Sequence, residues 1–214
     1  MKARPILFNG DMVRALLDGR KTQTRRAMKV QPPEGDYCLS TLLDTSGDRS
    51  RIGKHQWSLE GETEVDTDQP YFACPYGYEG ELLWVCGSLV REQIGSCDLV
   101  GYRAGGFRTL AVDWPWDRDV VPSIHMPRKF SRITLKITEV RVERLQSISE
   151  DDAVAEGCGI YSEGEWLNHH ECGITRAKRF EELWKSTGGD WGSNPWVWVI
   201  EFEVIHKNVD EVLS

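Results

Sequence analysis

The chain has 214 residues, with 34 acidic against 26 basic side chains and a formal net charge of −8, which argues against broad binding to duplex phosphate because such binding neutralises many phosphates with Lys and Arg. The length suits one domain with a proper core, or one small domain with large insertions, and the patterning favours the second. Six cysteines without a Cys-x-x-Cys pair point away from a zinc ribbon or disulfide framework, and the lack of an apolar leader or spanning run makes a soluble, cytoplasmic protein the expectation.

In chain order, Pro5-Ile6-Leu7-Phe8 reads as a short buried strand, with Asn9 or Asp11 capping an amphipathic helix that carries Val13, Leu16 and Leu17. Gly19 stands where a helix C-terminus favours a left-handed residue, so Lys21 and Thr24 emerge just past a fixed helix end. The stretch Asp18-Gly19-Arg20-Lys21-Thr22-Gln23-Thr24-Arg25-Arg26 is the densest in chemistry. An amine and a hydroxyl a few residues apart, beside arginines, can serve as base and nucleophile. The same Thr-x-Thr alternation fits an ordinary half-exposed strand. Residues three apart in a strand point to opposite faces, so Lys21 and Thr24 meet only across a turn or bulge, or through the long lysine stem.

From about residue 30 to 78 the pattern dissolves into Pro, Ser, Gly, Asp and Glu, which predicts a surface insertion with a hairpin near 56–59 and 71–73. Its stretch from about 34 to 69 is expected to be removable without loss of the core fold. The charge is uneven: residues 1–30 hold eight Lys/Arg against Asp11 and Asp18, whereas 34–81 hold eleven Asp/Glu against Arg49, Arg51 and Lys54. A basic pocket beside an acidic insertion suits a small polar or anionic ligand better than a long nucleic acid.

Leu82 to Val85 reads as a buried strand with Trp84 in the core, and 95–127 as a second irregular region. With nine tryptophans, some can stack on a base, and Trp84 is also carried as a substrate-contact candidate. Ile133 to Leu145 alternates with a change of phase near Glu139, which predicts a bulge. Ser149 and Asp152 open a short helix that Gly157 closes, with Glu156 in its last turn against the helix dipole. Residues 158–174 form a third insertion, whose Cys158, His169, His170 and Cys172 match no standard zinc spacing. Thr175 to Ser186 is an amphipathic helix burying Ala177, Phe180, Leu183 and Trp184, with Glu181 and Lys185 paired outside. The closing strand, Trp196 to Val204, is apolar on both faces at its start and so reads as central.

Several of these stretches carry a family likeness. Gly19-Arg20-Lys21-Thr22-Gln23-Thr24-Arg25-Arg26 resembles the Gly-x-Lys-x-x-x-x-Arg signature of ASCH domains, small barrels related to the PUA RNA-binding domain. Gly80-Glu81-Leu82-Leu83-Trp84-Val85 is similar to that family's Gly-Asp-x-Leu-x-Val strand, 133–157 to its long strand and acidic helix, and 194–202 to its closing strand. Together they are similar to prophage-borne ASCH proteins. Those relatives usually read Trp-Val-Arg-Glu after the second motif, where this chain has Trp84-Val85-Cys86-Gly87. The resemblance implies an α+β fold: a PUA-like (ASCH) β-barrel with short helices at its rim, one domain over 1–214 with insertions at about 30–78, 95–127 and 158–174.

Some ASCH proteins remove the acyl group from N(4)-acetylcytidine, and matched residue by residue their catalytic roles fall on Lys21, Thr24 and Glu156. The resemblance implies Thr24 as nucleophile, Lys21 as base and then acid, and Glu156 as the group that orients both Lys21 and substrate. Arg26, Arg20 and Trp84 are the substrate-contact candidates; no metal or organic cofactor is implied, and the partner is a small nucleoside. A base at Lys21 needs a pKa well below that of free lysine. Flanking arginines, if exposed, are too screened to supply that shift, so burial must be the larger cause. The alternatives are a non-catalytic RNA-binding module, whose affinity for long RNA is expected to be weak and salt-dependent, and a metal-dependent ribonuclease, for which Glu92, His125, His169 and His170 form no convincing cluster.

Overall fold

The protein, seen as a computed structural model, is described over residues 2–32, 37–41, 54–59, 71–94, 97–106, 108–110, 114–159 and 175–214. Three sheets and a few short helices make up these residues. The largest sheet places β1 (Ala3–Leu7), β5 (Leu82–Cys86), β10 (Thr134–Arg144), β11 (Trp196–Ile205) and β2 (Gln23–Ala27) side by side in that order. β1 runs parallel to β5 and the other neighbours are antiparallel. Pro5, which has no N–H to donate, lies on β1 at the sheet edge, where such a residue is tolerated.

β10 and β11 form the long spine. Their register shifts between Ile137 and Glu139, the bulge that the change of apolar phase predicts, and Val140 and Val142 beyond it still pack against the cluster that holds Leu135 and Ile137. Ile133, Leu135 and Ile137 join Ile6, Phe8, Val13, Leu16, Leu83, Val85, Trp198, Ile200 and Phe202 in the main core. On the other face of β11, Val197 and Val199 pack with Leu145, Ala153 and Phe180. β11 is interior, between β10 and β2, as its apolar start predicts.

A second sheet, in the order β8 (Arg108–Leu110), β7 (Cys97–Tyr102), β6 (Leu89–Ile94), β9 (Val120–Val121), follows β5 after Gly87 and Ser88 and has its own cluster around Leu89, Val100 and Val121. The region expected to be irregular from 95 onward therefore contains paired strands. No closed barrel is drawn by hydrogen bonds among the described residues: β1 and β2 are the edges of the five-stranded sheet.

The first insertion also departs from expectation. β3 (Tyr37–Thr41) pairs with β4 (His55–Leu59), and His55 bridges Phe72. Trp57, 3% exposed, belongs to the main core, where it lies 5.1 Å centroid to centroid from Trp196 and 5.9 Å from Phe72. An element that buries an indole in the core is not removable decoration. Removing 34–69 would take out part of that core.

The helices follow their caps. Asn9 Oδ1 accepts from Met12 N at 2.9 Å to start α1 (Gly10–Leu17), and Ser149 and Asp152 form a reciprocal capping box at the start of α2 (Glu150–Ala155). Thr175 caps α3 (Arg176–Ser186), which buries Phe180 fully and Ala177, Leu183 and Trp184 in part, with Lys185 on Glu181 outside at 2.5 Å. A last turn, α4 (Val209–Leu213), is capped by Asn208. No helix among the described residues is long and apolar enough to cross a membrane.

Candidate functional site

The site begins where two helix ends meet. After α1, Gly19 takes φ +69°, the left-handed turn that glycine makes without strain, and the amides of Arg20 and Lys21 both fold back onto Ala15 O at 2.9 and 3.0 Å. α2 ends at Glu156, its C-cap, and Gly157 reverses the chain at φ +87°. The two ends lie edge to edge: Lys21 and Glu156 form an antiparallel bridge, and Thr22 N donates to Ala155 O at 2.8 Å. A Cβ on Gly157 would stand 2.9 Å from Ala15 Cβ and 3.3 Å from Lys21 Cβ, so glycine is what lets the two turns approach this closely.

Lys21 is completely buried. Its Nζ donates to Glu156 Oε2 at 2.6 Å and to Glu156 O at 2.8 Å, and lies 5.7 Å from the Phe8 ring centroid. Burial pushes its pKa below the ordinary 10.5; the Glu156 carboxylate opposes that shift, and Arg26 adds to it. Among the described residues both of its acceptors belong to Glu156, a set that the two donors of a neutral amine would satisfy.

Arg25 is the member that sequence reasoning missed. It was read as one of several exposed, screened charges, yet it is 3% exposed. Its Nη2 lies 2.9 Å from Glu143 Oε2 and 3.2 Å from Asp152 Oδ2, its Nη1 3.6 Å from Glu156 Oε1, and its guanidinium 5.9 Å from the Phe180 ring. Arg141 ties the same acids together, 2.6 Å from Glu143 Oε1 and 3.1 Å from Asp152 Oδ1, with Glu201 as a further partner. Against the upward push of burial, the hydrogen bonds from Ser149 and the charge of Arg25 hold the Asp152 carboxyl below its ordinary range. The available signal was strand alternation: Gln23 and Arg25 share one face of β2, and Thr24 and Arg26 the other, so adjacent arginines were bound to meet different surroundings.

Thr24 is 1% exposed and opposite Ile200 in the β2–β11 ladder; Arg26 is opposite Trp198. The apparent obstacle of a three-residue spacing is removed because Lys21 precedes β2 and pairs with Glu156 instead of continuing the strand. Arg26 stacks 5.1 Å over Phe8, the ring that also faces Lys21 Nζ, so Lys21 borders the face that carries Thr24 and Arg26. Among the described residues Lys21 Nζ donates to Glu156 and not to Thr24. Arg26 Nη2 donates to Leu7 O at 2.6 Å, and Arg20 pairs with Asp18 at 2.8 Å while reaching Gly157 O at 3.2 Å.

Two cavities adjoin Glu156. One, of ≈ 140 Å³, runs along the open edge of β2 under α3, bounded by Met12, Thr24, Arg25, Arg26, Phe180 and Trp184 among others. The other, of ≈ 510 Å³, is bordered by Arg20, Gly157, Cys158, Arg179 and Leu183. Trp84 reaches neither. Partly buried, it packs against the second cluster, as do Trp114 and Trp116. Burial pushes the Cys158 thiol up to about 11, which keeps it protonated near neutrality. Of the other residues weighed as metal ligands, His169, His170 and Cys172 lie outside the described residues. Glu92 is on β6 and His125 in a separate short turn, and no group of three ligating side chains occurs among the described residues.

The fold and site together define a mixed α/β domain, mostly sheet, built around a buried Lys–Glu pair. No protein-family model and no curated protein matches the chain. Among solved structures it is similar to the ASCH domain from Lactobacillus crispatus JV V101, with 15% identity over 95% of this chain and 79% of that chain and a TM-score of 0.33.

Proposed function

We propose that the chain is an amidohydrolase that removes the acyl group from N(4)-acylated cytosine nucleosides, converting N(4)-acetylcytidine and water to cytidine and acetate. The observation that carries the reading is the fully buried Lys21, whose pKa is lowered by burial and whose two hydrogen bonds both end on Glu156. A lysine buried in this way suits general-base chemistry and is unsuited to the surface phosphate contacts of an RNA-binding module.

In the proposed reaction, Thr24 Oγ1 attacks the acyl carbonyl and its proton passes to the neutral Lys21 amine. The tetrahedral adduct collapses with breakage of the bond to cytosine N4, which takes that proton and leaves as the free amine. Water then attacks the threonyl ester, giving a proton to Lys21. As the ester bond breaks, Lys21 returns that proton to Thr24 Oγ1, and the acid leaves and loses its proton to solvent as the carboxylate. Glu156 holds Lys21 through the reaction, Arg26 and Arg20 contact the nucleoside, and no cofactor is needed.

The test is purified protein incubated with N(4)-acetylcytidine, with cytidine followed by chromatography. Lys21→Met, Thr24→Ala and Glu156→Gln are each expected to lower turnover by about 10²–10⁴-fold while circular dichroism stays native. Turnover in the wild type is expected to rise with pH through an apparent pKa below that of free lysine. Full activity in a folded Lys21→Met variant would exclude the mechanism.

A further inference from the structure

The ≈ 140 Å³ cavity along β2 has an unusual lining. Five buried polar atoms on its lining residues lack hydrogen-bond partners: the donors Arg25 Nε, Arg25 Nη1, Arg26 Nε and Trp184 Nε1, and the acceptor Glu156 Oε1. Buried polar groups are ordinarily satisfied, and each left unmade is costly. Arg25 and Glu156 are each 3% exposed, so bulk water does not account for them. Thr24 borders the same space, and Met12, Phe180 and Leu183 give the wall an apolar end. Donors on one side, one acceptor, a hydroxyl-bearing residue and an apolar end match a secondary amide bearing a short alkyl group. Its carbonyl oxygen accepts from arginine, and its alkyl group meets Phe180 and Leu183.

We propose that this cavity is the acyl subsite, with Arg25 supplying the positive N–H donors that stabilise the oxyanion formed when the acyl carbonyl is attacked. The assignment rests on the amidohydrolase reading and deepens it. Arg25 suits the role because Glu143 and Asp152 hold it through Nη2 and Glu156 stands 3.6 Å from Nη1, while Nε carries no hydrogen bond. The guanidinium is fixed before substrate arrives, and its remaining donors need no reorganisation as charge develops.

Arg25→Lys retains a cation for Glu143 and Asp152 but loses the guanidinium donors. It is expected to lower kcat by about 10²–10³-fold, with a smaller change in KM. Leu183→Ala enlarges the apolar end, and its expected effect is a rise in the ratio of butyryl- to acetyl-cytidine turnover of about tenfold or more. That ratio is internal to one preparation and insensitive to partial unfolding. A readout independent of turnover is the NMR titration of the wild-type protein with N-methylacetamide. Saturable shifts are expected at the Arg25 Nε–H and at the Thr24 amide, weakened in Arg25→Lys. If N-methylacetamide shifts these signals while no acylcytidine is hydrolysed, the subsite stands and the proposed substrate falls. If these signals do not move, or if folded Arg25→Lys keeps wild-type kcat, the acyl subsite is refuted even where acetylcytidine is turned over.

Discussion

A lysine with no exposed surface is a costly residue, and at Lys21 the cost has a measurable sign. Because burial lowers its pKa, the folded chain releases this proton at lower pH than the unfolded chain does. Between the folded pKa and the ordinary 10.5 the unfolded state therefore binds more protons, and stability rises with pH across that window; below it the penalty is present in full. Lys21→Met keeps the stem and removes the titration, so chemical denaturation at a series of alkaline pH values should show a flatter stability profile for the variant. Glu156 is not stranded by that change, since Arg25 Nη1 lies 3.6 Å from its other oxygen. An unchanged profile would mean that Lys21 is charged in the folded protein across this range. The neighbouring Gly157 gives a second test. At φ +87° and with Ala15 and Lys21 close to where a Cβ would sit, Gly157→Ala should destabilise by about 1–2 kcal/mol from backbone strain alone. The accompanying displacement of Lys21 should reduce activity beyond the loss of folded protein. Equal stability of the two proteins by denaturant titration would show that the turn relaxes freely.

At the scale of elements, α2 is short, and its cap matters more than its propensity. Six residues cannot hold a helix in isolation, so the Ser149–Asp152 box and the packing of Ala153 carry it. Ser149→Ala should cost about 0.5–2 kcal/mol, measured by thermal or urea unfolding. It should also weaken turnover beyond the folded fraction, because the same Asp152 braces Arg25 and Arg141. The cap, the ends of α1 and the bulge in β10 were all legible in the sequence, since each is set by residues within a few positions of itself. The paired strands of the 97–110 region were not. Short strands without clear alternation become visible only when their partners are in place.

At the scale of the molecule, the acidic insertion reaches the main core through Trp57 and Cys74, with Leu39 and Phe72 packed beside them. Trp57→Ala removes an indole that packs with Phe72 and Trp196 and donates to Val30 O at 3.3 Å. A loss of about 3–5 kcal/mol is expected, read as a lower urea midpoint with one cooperative transition. A loss below about 1 kcal/mol, a surface-substitution value, would return the hairpin to the status of a surface decoration. β5 ties this core to the second cluster: Leu83 and Val85 face the first, Cys86 and the partly buried Trp84 the second. One strand thus fixes two apolar layers, which is why Trp84 packs away from the Lys21 site.

What the sequence determined by itself were the features whose causes are local. The helix that delivers the basic motif, the glycine that ends it, the cap of α2 and the phase change in β10 all follow from residue types at short spacing. The tertiary structure decided which side chains met. Alternation sends the neighbours Arg25 and Arg26 to opposite faces of β2, and the fold places the first among Glu143, Asp152 and Glu156 and the second over Phe8. The partners that make this difference lie more than a hundred residues away along the chain, on β10 and α2. Local periodicity says which face a residue takes; only the packed strands and helices say what that face meets.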